Sequence, residues 1–175
     1  VFDGTRPFEK TDAPTAPRGL YGAVHADFDN ARGDLGNSLG IVRLTKVVTT
    51  ESSTFRAWRA AAAARSTIVA PPDLRMAPVT LPFAASLIAR CGIEKRVGLY
   101  HCSGERDIEY FAAASAFAER VGLPASNVLS KSVDALGIDP AVVTEYSSLD
   151  MSETISAYGV RGQSFADVAD FIARA

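Results

Sequence analysis

Residues 40–48 read Gly40-Ile41-Val42-Arg43-Leu44-Thr45-Lys46-Val47-Val48, a run dominated by aliphatic and β-branched side chains. Such a run predicts a buried strand, which here emerges at Lys46. The preceding segment, residues 19–32, repeats apolar side chains at steps of four and three, which predicts an amphipathic helix. A helix followed directly by a buried strand indicates an α/β fold. The apolar positions of that helix are Leu20, Val24, Phe28 and Ala31.

Downstream segments continue the alternation of helices and strands. Residues 53–65 and 80–90 have helical periodicity, and Thr80 is placed to cap the second of these helices. Residues 97–102 form a clear strand pattern, and Asp107 is placed to cap a helix that ends near Gly122. Residues 123–149 have no regular pattern. Two short helices close the chain, with capping boxes that begin at Asp150 and Ser164.

The helical spacing also predicts which side chains reach the core. In the helix over 53–65, Trp58 shares a face with two other apolar side chains, so it is predicted to pack in the core rather than stack on a ligand. The remaining core faces are Ile108, Phe111, Ala112, Ser115 and Ala116 in the helix after Asp107, and Phe165, Val168, Ala169 and Ile172 in the last helix.

Composition excludes several classes of protein. With 175 residues, 47% hydrophobic residues and a net charge of -2, the chain has no basic field to attract nucleic acid. Its apolar runs are far shorter than the ~20 residues that cross a bilayer, so no membrane insertion is expected. Cys91 and Cys102 form no disulfide framework, which favours a reducing, cytoplasmic setting. Because the two histidines, His25 and His101, lie far apart in sequence, no metal site is predicted.

The first part of the chain contains the sharpest motif. Val1-Phe2-Asp3-Gly4 resembles the end of a strand, a proline-rich loop follows, and Arg18-Gly19-Leu20-Tyr21-Gly22-Ala23-Val24-His25 opens the first helix. In order and spacing these segments resemble extended short-chain dehydrogenases/reductases of the dTDP-4-dehydrorhamnose reductase type, which act on sugar nucleotides. The resemblance continues at residues 41–44, 97–104 and 146–150, and is loose over 50–90.

The resemblance implies a chemistry for Tyr21. In the family a tyrosine, with an ordinary pKa near 10, exchanges a proton at neutral pH because a lysine four residues later lowers that pKa and holds the nicotinamide ribose. Tyr21 occupies the tyrosine position, but His25 stands where the family has lysine, and an imidazole is shorter and largely neutral at pH 7. The cofactor, NADP or NAD, would require the glycine-rich turn of a full-length protein, which is absent here.

Each of these residues has a plainer interpretation. Tyr21 and His25 can also be an ordinary polar helix face. Gly33, Gly36 and Gly40 precede a strand, whereas phosphate loops follow one, so they are predicted to form a turn. His101 and Cys102 are adjacent strand residues whose side chains point to opposite faces, which argues against a nucleophilic pair.

The resemblance also implies a substrate region. By position in the family, the sugar nucleotide would contact Lys46 and Val47 after the first strand and Arg75, Met76 and Pro78 in the middle of the chain. Arg75 could pair with a diphosphate, although a solvated loop charge is an equal alternative.

The sequence therefore predicts an α/β fold that is the C-terminal part of a Rossmann-type parallel sheet with a small mixed substrate-binding region. Residues 1–50 and 92–104 would belong to the sheet, and 51–91 and 105–175 to the substrate side of one partial domain. The predicted function is the substrate-side part of an NAD(P)-dependent sugar-nucleotide reductase or epimerase. The alternative is a non-catalytic binding or regulatory protein of the same fold. An apolar strand end at Val1 predicts a partner, either a missing N-terminal half or a second copy in a homo-oligomer.

Overall fold

The computed structural model describes residues 1–31, 38–139 and 143–174. Helices and strands alternate along the chain, as predicted. The helices are α1 (Leu20–Ala31), α2 (Ser53–Ala63), α3 (Leu81–Ile93), α4 (Tyr110–Arg120), α5 (Ser152–Tyr158) and α6 (Phe165–Arg174). The strands are β1 (Gly40–Leu44), β2 (Val47–Val48), β3 (Ile68–Ala70), β4 (Arg75–Met76), β5 (Val79–Thr80), β6 (Gly98–Cys102), β7 (Ile108–Glu109) and β8 (Val128–Ser130).

Parallel pairing dominates the sheet structure. β1 runs parallel to β6 with Gly40 opposite Gly98 and Leu44 opposite Cys102. The short pairs β2–β5 and β3–β8 are also parallel, and only β4–β7 is antiparallel among the strands that the structure describes. Because parallel strands need crossover connections, the helices between them follow from this topology. The predicted α/β class is confirmed.

A first core lies between α2, β3, α4, β8 and α6. Trp58 is 3% exposed and packs against Phe55 and Phe117, with ring centroids 5.1 and 6.0 Å away. The predicted core role of Trp58 is therefore confirmed, and so is the buried face of α6, where Val168 and Ile172 are almost fully covered. Aromatic and aliphatic side chains from these elements form one buried cluster, to which Val48 of β2 and Met76 of β4 also belong.

A second core joins α3, β6 and α5. Leu87 of α3, Tyr100 and Cys102 of β6, and Tyr158 of α5 are buried together. Tyr100 and Tyr158 meet edge to face at 5.1 Å. α3, predicted to belong to the substrate side, thus packs on the strands of the predicted sheet remnant, so the two sequence ranges share a core. The division at residues 91–92 remains a prediction.

We call β1, β6 and the helices beside them, α1 and α3, the β1–β6 layer. The helix predicted over 19–32 is present as α1, but its apolar row does not face the protein. Leu20, Val24 and Phe28 are 82%, 59% and 60% exposed, and the buried residue of α1 is Ala26. The predicted helix is thus present, but α1 is attached through Ala26 and a polar contact rather than through its apolar row. The turn predicted at Gly33 and Gly36 lies outside the described residues.

Two other local predictions are also corrected. The strand predicted over 40–48 divides into β1 and β2, because Thr45 interrupts the ladder and its hydroxyl donates to the carbonyl oxygen of Ala77 at 2.5 Å. In α4 the buried face is Ala113, Ala114, Phe117 and Ala118, two positions along the chain from the predicted stripe. Asp107 does not cap this helix, whose N-cap is Glu109.

The described residues contain neither a membrane-spanning helix nor a cluster of metal ligands. None of the helices in residues 1–31, 38–139 and 143–174 is long and apolar enough to span a bilayer. The same residues contain no group of three or more His, Cys, Asp or Glu side chains placed to hold a metal ion.

Candidate functional site

A cleft of about 230 Å³ lies at the carboxyl end of β1. Three stretches of chain form its walls: the N-terminal segment 1–9, residues 43–45 at the end of β1, and residues 144–149. In parallel α/β sheets, ligands bind beyond the carboxyl ends of the strands, where side chains and backbone groups converge. The cleft therefore lies where this fold places binding sites.

Backbone pairing joins the N-terminal segment to the opposite wall. The amide of Tyr146 donates to the Gly4 carbonyl oxygen at 2.9 Å, and the amide of Phe8 donates to the Ser148 carbonyl oxygen at 3.0 Å. Gly4 has φ +72°, and a Cβ there would stand 2.8 Å from Cβ of Thr144. Glycine is required at this position both for its backbone conformation and for the close approach of the two walls.

A buried polar network forms the floor of the cleft. Nε of Arg43 donates to Oδ2 of Asp29 at 2.8 Å, and both side chains are about nine-tenths buried. Nη1 of Arg43 lies 3.3 Å from Nε2 of His101, and the guanidinium stacks over the Phe2 ring at 5.0 Å. Because Asp29 is on α1, Arg43 on β1 and His101 on β6, the network ties these three elements to the N-terminal segment.

The buried imidazole of His101 is held neutral. Burial is the main cause that lowers the pKa of His101 to about 4, the nearby Arg43 guanidinium lowers it as well, and the contact with Asp150 opposes both. Nδ1 lies 2.9 Å from the Asp150 carbonyl oxygen, which can only accept, so Nδ1 carries the proton. Nε2 is then free to accept from Arg43. Both His101 and Cys102 are fully buried, on opposite faces of β6.

Tyr21 and His25 lie together on α1, outside the residues that line the cleft. Their rings meet edge to face with centroids 4.5 Å apart. Tyr21 is 82% exposed and His25 is also exposed. The same helix reaches the cleft floor through Asp29, two turns after Tyr21. The Tyr21–His25 pair thus faces solvent, although it belongs to the helix that is anchored at the cleft floor.

None of the five predicted substrate residues lines the cleft. Lys46 is exposed directly after the cleft residue Thr45, and Val47 is half-buried in β2. Arg75 pairs with Glu109 at 3.2 Å and stacks on the ring of Tyr146, a cleft residue, at 5.7 Å. Met76, at 2% exposure, packs in the first core, and Pro78 is fully buried. A ligand role for these five residues remains a prediction.

Sequence reasoning assigned no site role to the residues that form the cleft, although Val1-Phe2-Asp3-Gly4 was part of the motif that carried the resemblance. Arg43 stood inside the strand prediction, and Tyr146-Ser147-Ser148 stood in a stretch that carried the resemblance but had no assigned role. The usable signal was the end of a parallel strand, since cleft residues follow β1 directly. Nothing local to residues 144–149 shows that they lie against residues 4–9.

Comparison with known proteins identifies the family. All of residues 1–175 match the family described as the RmlD substrate binding domain. The chain belongs to this family. The predicted recognition as a dTDP-4-dehydrorhamnose reductase-like protein is confirmed at the level of the family. No curated protein matches the chain in sequence.

Solved structures show the same fold at low sequence identity. The dTDP-4-dehydrorhamnose reductase from Bacillus anthracis, in complex with NADP, is 20% identical with a TM-score of 0.82, covering 99% of this chain and 61% of that one. The corresponding reductase from Yersinia enterocolitica is 13% identical with a TM-score of 0.83, covering 95% and 60%. The enzyme WbmG from Bordetella bronchiseptica, in complex with NAD and UDP, is 16% identical with a TM-score of 0.77, covering 98% and 54%. The RmlD domain chain thus spans about three fifths of the length of the two reductases.

Proposed function

We propose that this chain is the sugar-nucleotide side of an NAD(P)-dependent reductase of the dTDP-4-dehydrorhamnose type. The observation that carries the proposal is the cleft at the carboxyl end of β1, in a chain that matches the RmlD substrate binding domain over its whole length. Its walls combine polar residues, among them Thr45, Ser147 and Ser148, with the aromatic ring of Tyr146, a lining that suits a polar ligand with a flat base.

In this proposal Tyr21 donates a proton to the oxygen of a keto sugar, and a bound reduced nicotinamide would supply the hydride for the carbon. The cofactor, NADP or NAD, would be held mainly by chain beyond these residues. What this chain supplies is the proton donor, the floor formed by Arg43 and the wall formed by residues 144–149. Arg75, which already contacts Tyr146, is the candidate partner for a diphosphate.

The uncovered face of α1 is compatible with the partners predicted from the sequence. Leu20, Val24 and Phe28 form an exposed apolar row beside Tyr21. A row of this kind is typical of a surface that another part of a protein covers. An N-terminal half of the same polypeptide or a second copy would cover it in the proposed enzyme and bring Tyr21 into an enclosed site.

The direct test uses the natural polypeptide that contains this sequence. NADPH and NADH are titrated by fluorescence, and turnover is measured with dTDP-4-dehydrorhamnose. We expect cofactor binding, and a fall in kcat of about 100-fold or more for Tyr21→Phe, which removes only the proton-donating hydroxyl. Tyr110→Phe, a hydroxyl deletion on α4 away from the cleft, is the matched control. Equal rates for wild type and Tyr21→Phe would contradict the role of Tyr21.

A second candidate function is a non-catalytic, sugar-nucleotide-binding protein of the same fold. The observation that favours it is the Tyr21–His25 ring contact, which places an imidazole against the tyrosine where the family has a lysine. This alternative predicts binding of dTDP or UDP sugars without turnover, and no effect of Tyr21→Phe on binding. Isothermal titration with dTDP-glucose, together with the turnover assay, separates the two functions.

A further inference from the structure

Asp107 performs a task that its sequence position does not indicate. It precedes α4, yet the carboxylate turns away from the helix and accepts hydrogen bonds from two consecutive serines. Oδ1 accepts from the amide and hydroxyl of Ser147, at 2.7 and 2.9 Å, and from the amide of Ser148 at 3.1 Å. Oδ2 accepts from the hydroxyl of Ser148 at 2.5 Å and from its amide at 3.3 Å. One carboxylate thus accepts hydrogen bonds from the amides and hydroxyls of two residues.

Both serines are also hydrogen-bonded to other segments of the chain. The hydroxyl oxygen of Ser147 accepts from the amide of Ala77 at 2.9 Å. The hydroxyl and carbonyl oxygens of Ser148 accept from the amide of Phe8, at 3.3 and 3.0 Å. The carboxylate is therefore the centre of a cluster that joins the β6–β7 connection, the β4–β5 connection, residues 147–148 and the N-terminal segment.

The position of the cleft wall depends on this cluster. Residues 144–149 contain no helix and no strand of their own, so ordering them carries a cost of about 1–2 kcal/mol per residue that local structure does not offset. Hydrogen bonds to a charged carboxylate are among the stronger ones available. They hold the segment that carries Tyr146, Ser147, Ser148 and Leu149, all of which line the cleft.

Arg75 is linked to the same wall from the other side. Its guanidinium stacks on Tyr146 and pairs with Glu109, two residues after Asp107. β7, which contains Glu109, is paired antiparallel to β4, which contains Arg75. Asp107 and Glu109 thus fix the backbone and the aromatic ring of one wall from the same short stretch.

We propose that Asp107 is a positioning residue that fixes residues 144–149 as the substrate-side wall of the cleft and so sets the affinity for the sugar nucleotide. The inference rests on the proposed function for its substrate. It assigns Asp107 no contact with substrate and no part in proton transfer. Loss of the carboxylate therefore weakens substrate binding while leaving the cofactor and the chemical step unchanged.

The test compares Asp107→Ala and Asp107→Asn in the natural polypeptide, with dTDP-4-dehydrorhamnose and NADPH as probes. Asp107→Ala removes all five hydrogen bonds, and we expect KM to rise about tenfold or more with kcat changed by less than about threefold. Asp107→Asn keeps one acceptor oxygen, so its KM is expected to lie between those of the wild type and Asp107→Ala. The dissociation constant of NADPH should stay within about twofold. Asp170→Ala removes a carboxylate of α6 that pairs with Arg120 of α4, and this matched control should leave KM unchanged.

Amide hydrogen exchange supplies a readout that does not depend on turnover. The amides of Ala77, Ser147 and Ser148 are hydrogen-bonded within the cluster, so their exchange should accelerate in Asp107→Ala and not in Asp170→Ala. A fall in kcat at constant KM, or an equal rise of KM in the control, would overturn the inference. If the wild type binds no sugar nucleotide, the proposed function fails. In that case the amide hydrogen exchange of Asp107→Ala still tests whether Asp107 holds residues 144–149 in place. Exchange rates equal to those of the wild type would refute this positioning role.

Discussion

The first core and the β1–β6 layer cover their apolar side chains to very different degrees. In the first core Phe55, Trp58 and Phe117 are 1%, 3% and 0% exposed. On α1, side chains of similar size such as Leu20 and Phe28 are more than half exposed, and no second strand pairs with β1 among the residues that the structure describes. Within this layer α3 and β6 are buried in the second core, whereas α1 is attached through Ala26 and the polar contact between Asp29 and Arg43.

The difference indicates that the residues that stabilise the fold and the candidate functional residues lie in different regions of the chain. The large side chains of the first core are covered by the elements that the structure describes. The β1–β6 layer has an open face, and the cleft and the Tyr21–His25 pair both lie on elements of this layer. Residues that catalyse or bind need access to ligands, and they are commonly placed on less fully packed parts of a fold. Substitutions in the two regions are therefore expected to have separable effects.

The largest effect is expected in the first core. Phe117→Ala removes a ring that packs against Trp58 and leaves a cavity, so we expect the free energy of unfolding to fall by about 3–5 kcal/mol. Phe28→Ala on α1 is the matched control, with an expected change within about 0.5 kcal/mol because its ring is mostly exposed. Urea unfolding followed by circular dichroism measures both. Similar losses for the two variants would show that the row on α1 is packed in solution.

The next effect concerns the polar attachment of α1. Arg43→Met leaves the Asp29 carboxylate buried without its cation, and breaking a buried pair in this way costs about 3 kcal/mol. Adding Asp29→Asn removes the unpaired charge, so the double variant should recover part of the loss. The unfolding free energies of the two single variants and the double variant provide the measurement. Strict additivity of the two substitutions would contradict a coupled pair.

A pH dependence of smaller size follows from His101. Its pKa is about 4 in the folded protein against about 6.5 in an unfolded chain, so only the unfolded state takes up a proton between these values. The contribution of the neutral imidazole to stability is complete above pH 6.5 and is lost as the pH falls towards 4, by about 2–3 kcal/mol. Carboxylates titrate at the acid end of the same range. The quantity to measure is therefore the difference in slope between wild type and His101→Gln, and equal slopes would contradict the assignment.

Sequence reasoning predicted features with local signals better than features that depend on distant contacts. Elements with local signals were predicted well: Thr80 caps α3 by accepting from the Phe83 amide, and the Ser164 capping box begins α6. Local patterns failed where a side chain has a distant partner. Asp107 has the position of a helix cap but binds residues 40 positions away, and the apolar spacing of α1 predicted a helix without showing which side is covered. The cleft depends on such distant contacts throughout, which is why its walls were not predicted.

The smallest effect on stability is expected at His25, where the functional consequence is the most informative. His25 is exposed on α1, so His25→Lys should change the free energy of unfolding by less than about 0.5 kcal/mol. The substitution restores the long cationic side chain of the family beside Tyr21. If the reductase function holds, the natural polypeptide should bind NADPH more tightly, by up to about tenfold. Asn30→Lys adds the same charge to the exposed surface of the same helix and serves as the control. Equal tightening in both variants would mean that charge alone acts. Tightening confined to His25→Lys would indicate that this position of α1 contacts the cofactor, and that the imidazole at residue 25 limits cofactor binding in the wild type.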